Sequence, residues 1–207
     1  MPKGGIELTN ARREEIINAC EKLYKTMSFK EITIKEIGNV TSFTRTSIYN
    51  YFETKEEIFL ALLKREYDLW VNDLNGLIEN NESMSADDFA DALARSLESR
   101  KQLLKLLSMN HYDMEENSRK ENLTEFKVSY GNALKAVKDC LDKFFKDMSE
   151  SDKQDFIYTF FPLMFGIYPY AVVTDKQQAA MTEAGVEYTY MSIYDITYNC
   201  IKRLLGI

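Results

Sequence analysis

Apolar residues recur at three- and four-residue spacing along most of the chain, and hydroxyl or acidic residues stand where the runs begin. This pattern predicts an all-α protein of nine helices, over roughly 9–27, 33–40, 44–51, 54–80, 85–98, 100–112, 118–148, 152–173 and 177–205. Three starts carry a capping box, a hydroxyl followed three residues later by Glu or Gln: Thr33 with Glu36, Thr54 with Glu57, and Ser151 with Gln154. Ser85, ahead of an acidic first turn, marks a fourth.

The first three helices are short and complementary. Ile16, Ile17, Cys20, Leu23, Tyr24 and Met27 stripe the first, Ile34, Ile37 and Val40 the second, and Ile48 and Phe52 the third. Three such stripes close one small core, and the three- or four-residue turn between the second and third is a helix-turn-helix connection. The expected organisation is a small domain over 1–53 and a larger helical one over 54–207, joined by the long fourth helix.

The last two helices have more apolar surface than one core needs. Phe156, Phe160, Phe161, Leu163, Met164, Ile167 and Tyr168 cover most of the circumference of 152–173. On 177–205, Ala184, Tyr188, Met191 and Tyr198 form one stripe and Val186, Tyr190, Ile193, Cys200 and Leu204 another, with Tyr194, Ile201 and Leu205 between. A surface helix has one such stripe. Two imply a second partner, so these two helices are expected to form a four-helix bundle with those of a second copy. A charge at Tyr194 or Ile201 is then expected to split the dimer before it unfolds the chain.

Composition narrows the classes. The chain is 45% hydrophobic and 29% charged, with 8 Gly and 3 Pro, which suits a packed helical core. Its net charge of −7 argues against a basic coat for nucleic acid but leaves room for a local binding face. Cys20, Cys140 and Cys200 are scattered and the one histidine is His111, so no disulfide framework, zinc site or other metal site is expected, and a reducing cytoplasm fits. A di-iron bundle needs Glu-x-x-His from two helices, which one histidine cannot supply; His111 reads as structural. No phosphate loop, nucleophile elbow or cofactor motif appears, so no enzyme and no cofactor are expected. No apolar run reaches the length of a membrane span, and no apolar signal segment opens the chain.

Against this acidic background, 37–52 contains no carboxylate, and "TSFTRTSIYNYF" (41–52) is mostly Ser, Thr, Tyr and Asn around one Arg. The second helix of a helix-turn-helix enters the major groove with its first residues facing base edges. Thr44 stands at that start and can cap it, and Arg45, Thr46 and Ser47 occupy its first turn. Arg reads guanine, Thr and Ser meet base edges or a thymine methyl, and the hydroxyls of Tyr49 and Tyr51 reach phosphates. A carboxylate here would face the phosphates. Lys55, in the first turn of a helix, is disfavoured there by roughly 0.3–1 kcal/mol unless a phosphate lies beside it.

At "ITIKEIGNV", "SFTRTSIYNYF" and "TKEEIFLALL" the sequence resembles the N-terminal DNA-binding domain of TetR-family transcriptional regulators, over about residues 9–63. The resemblance implies a DNA face of Thr33, Lys35, Thr44, Arg45, Thr46, Ser47, Tyr49, Asn50, Tyr51 and Lys55, with Lys35, Arg45 and Thr46 as base readers, joined by Asn50 or Tyr51. It also implies a ligand-binding and dimerisation domain, and so a dimeric repressor released from a palindromic double-stranded operator by a small molecule. Three positions depart from the family pattern: Ser42 stands for the turn Gly, Ser28 for a Gly near the end of the first helix, and Gly38 for an Ala. If position 42 needs φ > 0, Ser42 is strained by roughly 1 kcal/mol.

The 13 Tyr and 12 Phe are a heavy load for one core. A cavity lined by adaptable Met and amphipathic aromatics would suit an apolar or aromatic effector. Tyr67, Trp70, Met109, Tyr112, Met114, Phe126, Tyr130, Phe161, Phe165 and Tyr168 are the candidate lining, equally readable as core. The fourth helix, from Lys55 past Tyr67 and Trp70, is the expected mechanical link between effector and DNA. The alternative is a helical ligand carrier or interaction protein whose DNA face is vestigial.

Overall fold

A computed structural model describes residues 3–109 and 111–207, the side chains of 3–6 and 111 excepted, so the role read for His111 lies outside what is described. The regular structure of the described residues is all helix, with no strand: α1 (Lys3–Tyr24), α2 (Ile34–Asn39), α3 (Arg45–Ile48), α4 (Lys55–Asn80), α5 (Ala86–Ser99), α6 (Lys101–Leu107), α7 (His111–Glu116), α8 (Lys120–Phe144), α9 (Glu150–Ala171), α10 (Asp175–Glu183) and α11 (Ile193–Leu204). Among them no single helix is long and apolar enough to cross a membrane, and no His, Cys, Asp or Glu cluster could hold a metal ion.

Two predicted helices are each broken in two. The span 100–112 holds α6 and only the first two residues of α7, which continues to Glu116. The span 177–205 divides at Gly185, which has φ 64°. There the Val186 N–H donates to the Met181 carbonyl at 3.0 Å and the Gly185 N–H to that of Thr182 at 3.1 Å, a Schellman closure that ends α10. Residues 186–191 then run without helical bonds until Ser192 and Asp195 form the capping box that starts α11. Four of the nine residues in the two stripes predicted for one helix, Val186, Tyr188, Tyr190 and Met191, therefore lie on a non-helical segment. α9 starts two residues earlier than predicted, with Ser149 rather than Ser151 as its cap: the Ser149 Oγ accepts from the Asp152 N–H at 3.1 Å. Val40 lies just past α2 and is exposed, outside the small core.

The chain forms two compact units. The first holds the residues up to Arg65 together with Met109–Ser129; the second holds Glu66–Ser108 and Tyr130–Ile207. α4 and α8 contribute to both.

In the first unit, Ile16, Ile17, Cys20 and Tyr24 of α1 pack with Ile34 and Ile37 of α2, Ile48 of α3, Phe52, and Ile58 and Phe59 of α4, all buried. Each buried Ile or Phe contributes about 1.5–3 kcal/mol relative to exposure. Tyr24 and Phe29 meet the ring of Phe59 edge-on at 5.2 and 4.8 Å, and the Arg13 guanidinium lies 4.7 Å over Phe52. Gly38 lets α2 approach α3: a Cβ there would lie 3.4 Å from the Arg45 nitrogen and 3.6 Å from Ile48 Cδ1, which is ordinary contact. Gly38→Ala is therefore expected to gain about 0.5–1 kcal/mol of helix stability. Thermal unfolding checks this; a lowered Tm would mean that α2 cannot accept the methyl.

In the second unit, α11 packs on α5 and α9. Ile193, Thr197 and Ile201 of α11 are buried, and the outer edge of its contact with α5 is polar. The stacked rings of Tyr194 and Tyr198, 5.4 Å apart, donate their hydroxyls to Asp91 and Asp87, each at 2.7 Å. The bond to Asp91 pushes the Tyr194 hydroxyl up to about 12. Tyr194 is thus bound to α5 of its own chain while remaining half-exposed, and Ile201 is fully buried within the chain, so Ile201 is not available to a dimer face. Trp70, Phe160 and Phe161 are buried against one another, and Trp70 Nε1 donates to Ser96 Oγ at 3.0 Å.

Candidate DNA-binding face and apolar clefts

Thr44 has the extended backbone of an N-cap, but its side chain does not cap α3. Its hydroxyl pairs instead with Ser47 Oγ at 3.1 Å. Ile48 is buried behind the short helix, which leaves Thr44, Arg45 and Thr46 exposed in front of it and Ser47 half-exposed. Arg45 leans along its own helix: Nη2 donates to the Tyr49 hydroxyl at 3.1 Å, and the guanidinium sits 5.7 Å from that ring. Tyr49 and Asn50 are exposed; Tyr51 is half-buried, lies against Phe43, and accepts from Arg12 Nη1 at 3.3 Å. Thr33 caps α2, accepting from the Glu36 N–H at 3.3 Å and donating to that residue's carboxylate, and Lys35 beside it is exposed.

The turn between α2 and α3 is held by an element that sequence reasoning did not find. Both the backbone N–H and the hydroxyl of Ser42 donate to the Glu15 carboxylate of α1. No described non-Gly residue has positive φ, so neither Ser42 nor Ser28 carries the strain considered for it. Ser28 instead donates its N–H and hydroxyl to Glu31, which holds that exposed carboxyl below its usual range.

Lys55 is half-buried and already engaged. Its Nζ donates to the carbonyls of Phe29 at 2.8 Å and Ile32 at 3.2 Å, 4.1 Å over the Phe29 ring. The cation near the start of α4 thus has protein partners, which meets the question its position raised.

The ten aromatic and Met residues singled out as a lining do not meet at one place. Tyr67, Trp70, Tyr130 and Phe161 cluster, with Tyr130 edge-on to Tyr67 and to Phe161, each at 5.8 Å. Phe165 and Tyr168 are half-buried on α9. Met114 and Phe126 are buried in the first unit, Met109 is half-buried, and Tyr112 is 84% exposed. Two apolar clefts form elsewhere. One, of about 380 Å³, lies among Pro169, Tyr170, Val173, Met181, Tyr188 and Tyr190. The other, of about 280 Å³, lies among Leu163, Gly166, Tyr170, Tyr188, Met191 and Ile196. Both use the 186–191 segment; Gly185 and Ser192 were the signals for it in the sequence.

This is the architecture of a helix-turn-helix regulator: a three-helix unit with an exposed, hydroxyl-rich short helix, and a larger helical unit. Residues 64–195 match the tetracyclin repressor-like, C-terminal domain family, and the chain belongs to it, a TetR-family transcriptional regulator. It is similar to the uncharacterized HTH-type transcriptional regulator YfiR of Bacillus subtilis (strain 168), 27% identical over 97 residues, 46% of this chain and 47% of that one. It is also similar to the HTH-type transcriptional regulator RutR of Escherichia coli (strain K12), 22% identical over 93 residues, 42% and 44% of the two chains. The chain spans about half the length of the curated relatives it matches. The fold is shared with a TetR/AcrR-family regulator from Thermobifida fusca (TM-score 0.60, 16% identity, 95% and 97% of the chains covered). It is shared too with FadR from Bacillus subtilis in complex with stearoyl-CoA (TM-score 0.61, 14% identity, 94% and 98% covered).

Proposed function

We propose that this regulator is a repressor that binds a palindromic operator as a dimer through Thr33, Lys35 and the 44–55 segment and is released by a largely apolar effector. The observation that carries the DNA reading is α3 itself. One buried residue, Ile48, fixes it to the core, and the adjoining Thr44, Arg45, Thr46 and Tyr49 are all exposed. Arg45 and Thr46 have the chemistry of base readers, and the hydroxyls of Tyr49 and Ser47 that of phosphate ligands. Lys55 orders the loop before α2 through the carbonyls of Phe29 and Ile32 and adds a positive charge to this segment.

Two copies are inferred to pair through the outer faces of α9 and α11, where Tyr158, Leu163, Gly166, Ile196 and Cys200 are exposed or half-exposed. For the effector, both the aromatic cluster around Trp70 and the cleft of Tyr170, Met181 and Tyr188 offer rings and a thioether with few polar groups. FadR from Bacillus subtilis, another protein of this fold, forms a complex with stearoyl-CoA. α4, which contributes to both units, is the inferred route from effector to DNA.

Selection from a random DNA pool tests the reading and yields the operator. A palindromic consensus is expected; recovery of no sequence above background would reject the DNA face. Apolar compounds are then assayed for release of the selected operator, with Trp70 emission followed alongside. An effector in the cluster changes that emission, and one in the cleft leaves it unchanged.

A further inference from the structure

The capping box at the start of α4 does not close on itself. Thr54 Oγ1 accepts the Glu57 N–H at 3.2 Å, as a cap should, but donates its own proton to the carbonyl of Asn117 at 2.9 Å. Glu57, 1% exposed, carries its carboxylate past the Thr54 N–H to Glu53 and Arg119. Oε1 accepts from the Arg119 backbone N–H at 3.0 Å and from Arg119 Nε at 2.7 Å. Oε2 accepts from Arg119 Nη2 at 2.8 Å and from the Glu53 N–H at 2.8 Å. The same guanidinium reaches further: Nη2 also donates to the Tyr51 carbonyl at 3.2 Å, and Nη1 lies 3.3 Å from the Glu53 carboxylate. Burial pushes the Glu57 carboxyl up, but the bonds from Arg119 and the Glu53 N–H outweigh it and hold the group below its usual range.

The short turn between α7 and α8 is therefore fastened at four places to residues 51–57, where the chain leaves α3 and enters α4. Such a two-pronged guanidinium–carboxylate contact is strong and directional. Removing one partner leaves a buried charge without its counter-ion, a strongly unfavourable state, so the turn and the end of the recognition segment move together or the contact is broken at a cost.

We propose that Arg119 is a positioning residue for DNA binding, a clamp that fixes the Tyr51 end of the recognition segment to the first residues of α8 and so sets the angle at which α3 is presented. It rests on the reading that residues 33–55 bind DNA. The described bond of Arg119 to the DNA face is to the Tyr51 carbonyl, a backbone group, so its expected effect is on affinity and not on base preference. It also gives α8 a direct hold on α3: a displacement of the Lys120 end of α8 must either drag Tyr51 or open the Arg119–Glu57 pair.

The test uses the full chain and the operator obtained by selection. Arg119→Ala and Arg119→Lys are compared with wild type at a temperature at which circular dichroism shows each fully folded. Operator affinity is expected to fall by roughly tenfold for Arg119→Ala and by less for Arg119→Lys, which keeps the charge but loses the fork. The selected consensus stays that of wild type. Glu57→Gln is expected to lower affinity too, and the Glu57→Gln/Arg119→Ala double variant to bind no worse than Arg119→Ala alone, because both act through one clamp. If Arg119→Ala does not fold, Arg119→Lys and Glu57→Gln carry the same comparison. Folded variants with wild-type affinity would overturn the clamp, as would losses that simply add. A changed consensus would make Arg119 a base reader instead. Failure of wild type to select any sequence would defeat the DNA reading itself, which is a different result from any of these.

Discussion

Ile201→Asp is expected to unfold the larger unit, whereas Leu163→Asp is expected to leave the chain folded and to split the proposed dimer. Ile201 is fully buried where α11 meets α5 and α9, so a carboxylate introduced there loses its water. Losing the apolar contacts and burying a charge together cost about 4 kcal/mol or more, a large part of the roughly 5–15 kcal/mol that holds a typical domain folded. Leu163 is half-exposed on the outer side of α9, beside Gly166 and Ile196 in the smaller apolar cleft, so a carboxylate there keeps its water in the monomer. In the inferred dimer the Leu163→Asp change would bring a charge from each copy into an apolar contact that two-fold symmetry presents twice. Thermal denaturation and light scattering separate the cases. A stable monomer from Ile201→Asp would show that α11 is not part of the core, and an intact dimer from Leu163→Asp would move the interface elsewhere.

Arg45→Ala is expected to weaken specific operator binding by about 1–3 kcal/mol, or roughly 5- to 150-fold, and to relax preference at one base pair in each half-site. Stability should hardly change. Arg45 is exposed, and its described contacts are to Tyr49 one turn along: a hydrogen bond to the hydroxyl and a guanidinium–ring contact worth a fraction of a kcal/mol at the surface. Because it is paired only locally, it can swing from Tyr49 to a guanine edge at little cost. Selection with the variant decides the matter: a consensus identical to wild type would remove Arg45 from the readout.

The first unit was legible because its signals are local. Hydroxyl caps, a 3–4 apolar period, a short turn and an acid-free window all lie within about 50 residues, and the helices α2, α3 and α4 fall within one to three residues of their predicted ends. What the sequence did not disclose were the long-range partners of those residues. Glu15 on Ser42 and Arg119 on Glu57 pair side chains 27 and 62 positions apart, and no period or cap connects them. In the second unit the apolar spacing misled. Val186, Tyr188, Tyr190 and Met191 lie in a non-helical segment, yet with the helical residues on either side they complete two plausible stripes. Gly185 and the Ser192–Asp195 pair were the better guides, because a left-handed glycine and a capping hydroxyl have specific backbone causes while an aromatic-rich run has several. Composition alone could not say where the aromatic residues go: Trp70 is wholly buried and Tyr112 almost wholly exposed.

α10 is a nine-residue helix with no buried residue, held at its ends by the Thr174–Gln177 box and the Gly185 closure. A helix that short is marginal by itself. Its backbone amides should therefore trade protons for deuterons almost as fast as those of an open peptide, while the amides of α11 wait for the whole unit to open. Ala180 and Met181 of this helix form one wall of the larger cleft. Anything that fills the cleft gives α10 a surface to rest on, and the slowing of its deuterium uptake, read by mass spectrometry, would announce the occupant without any label.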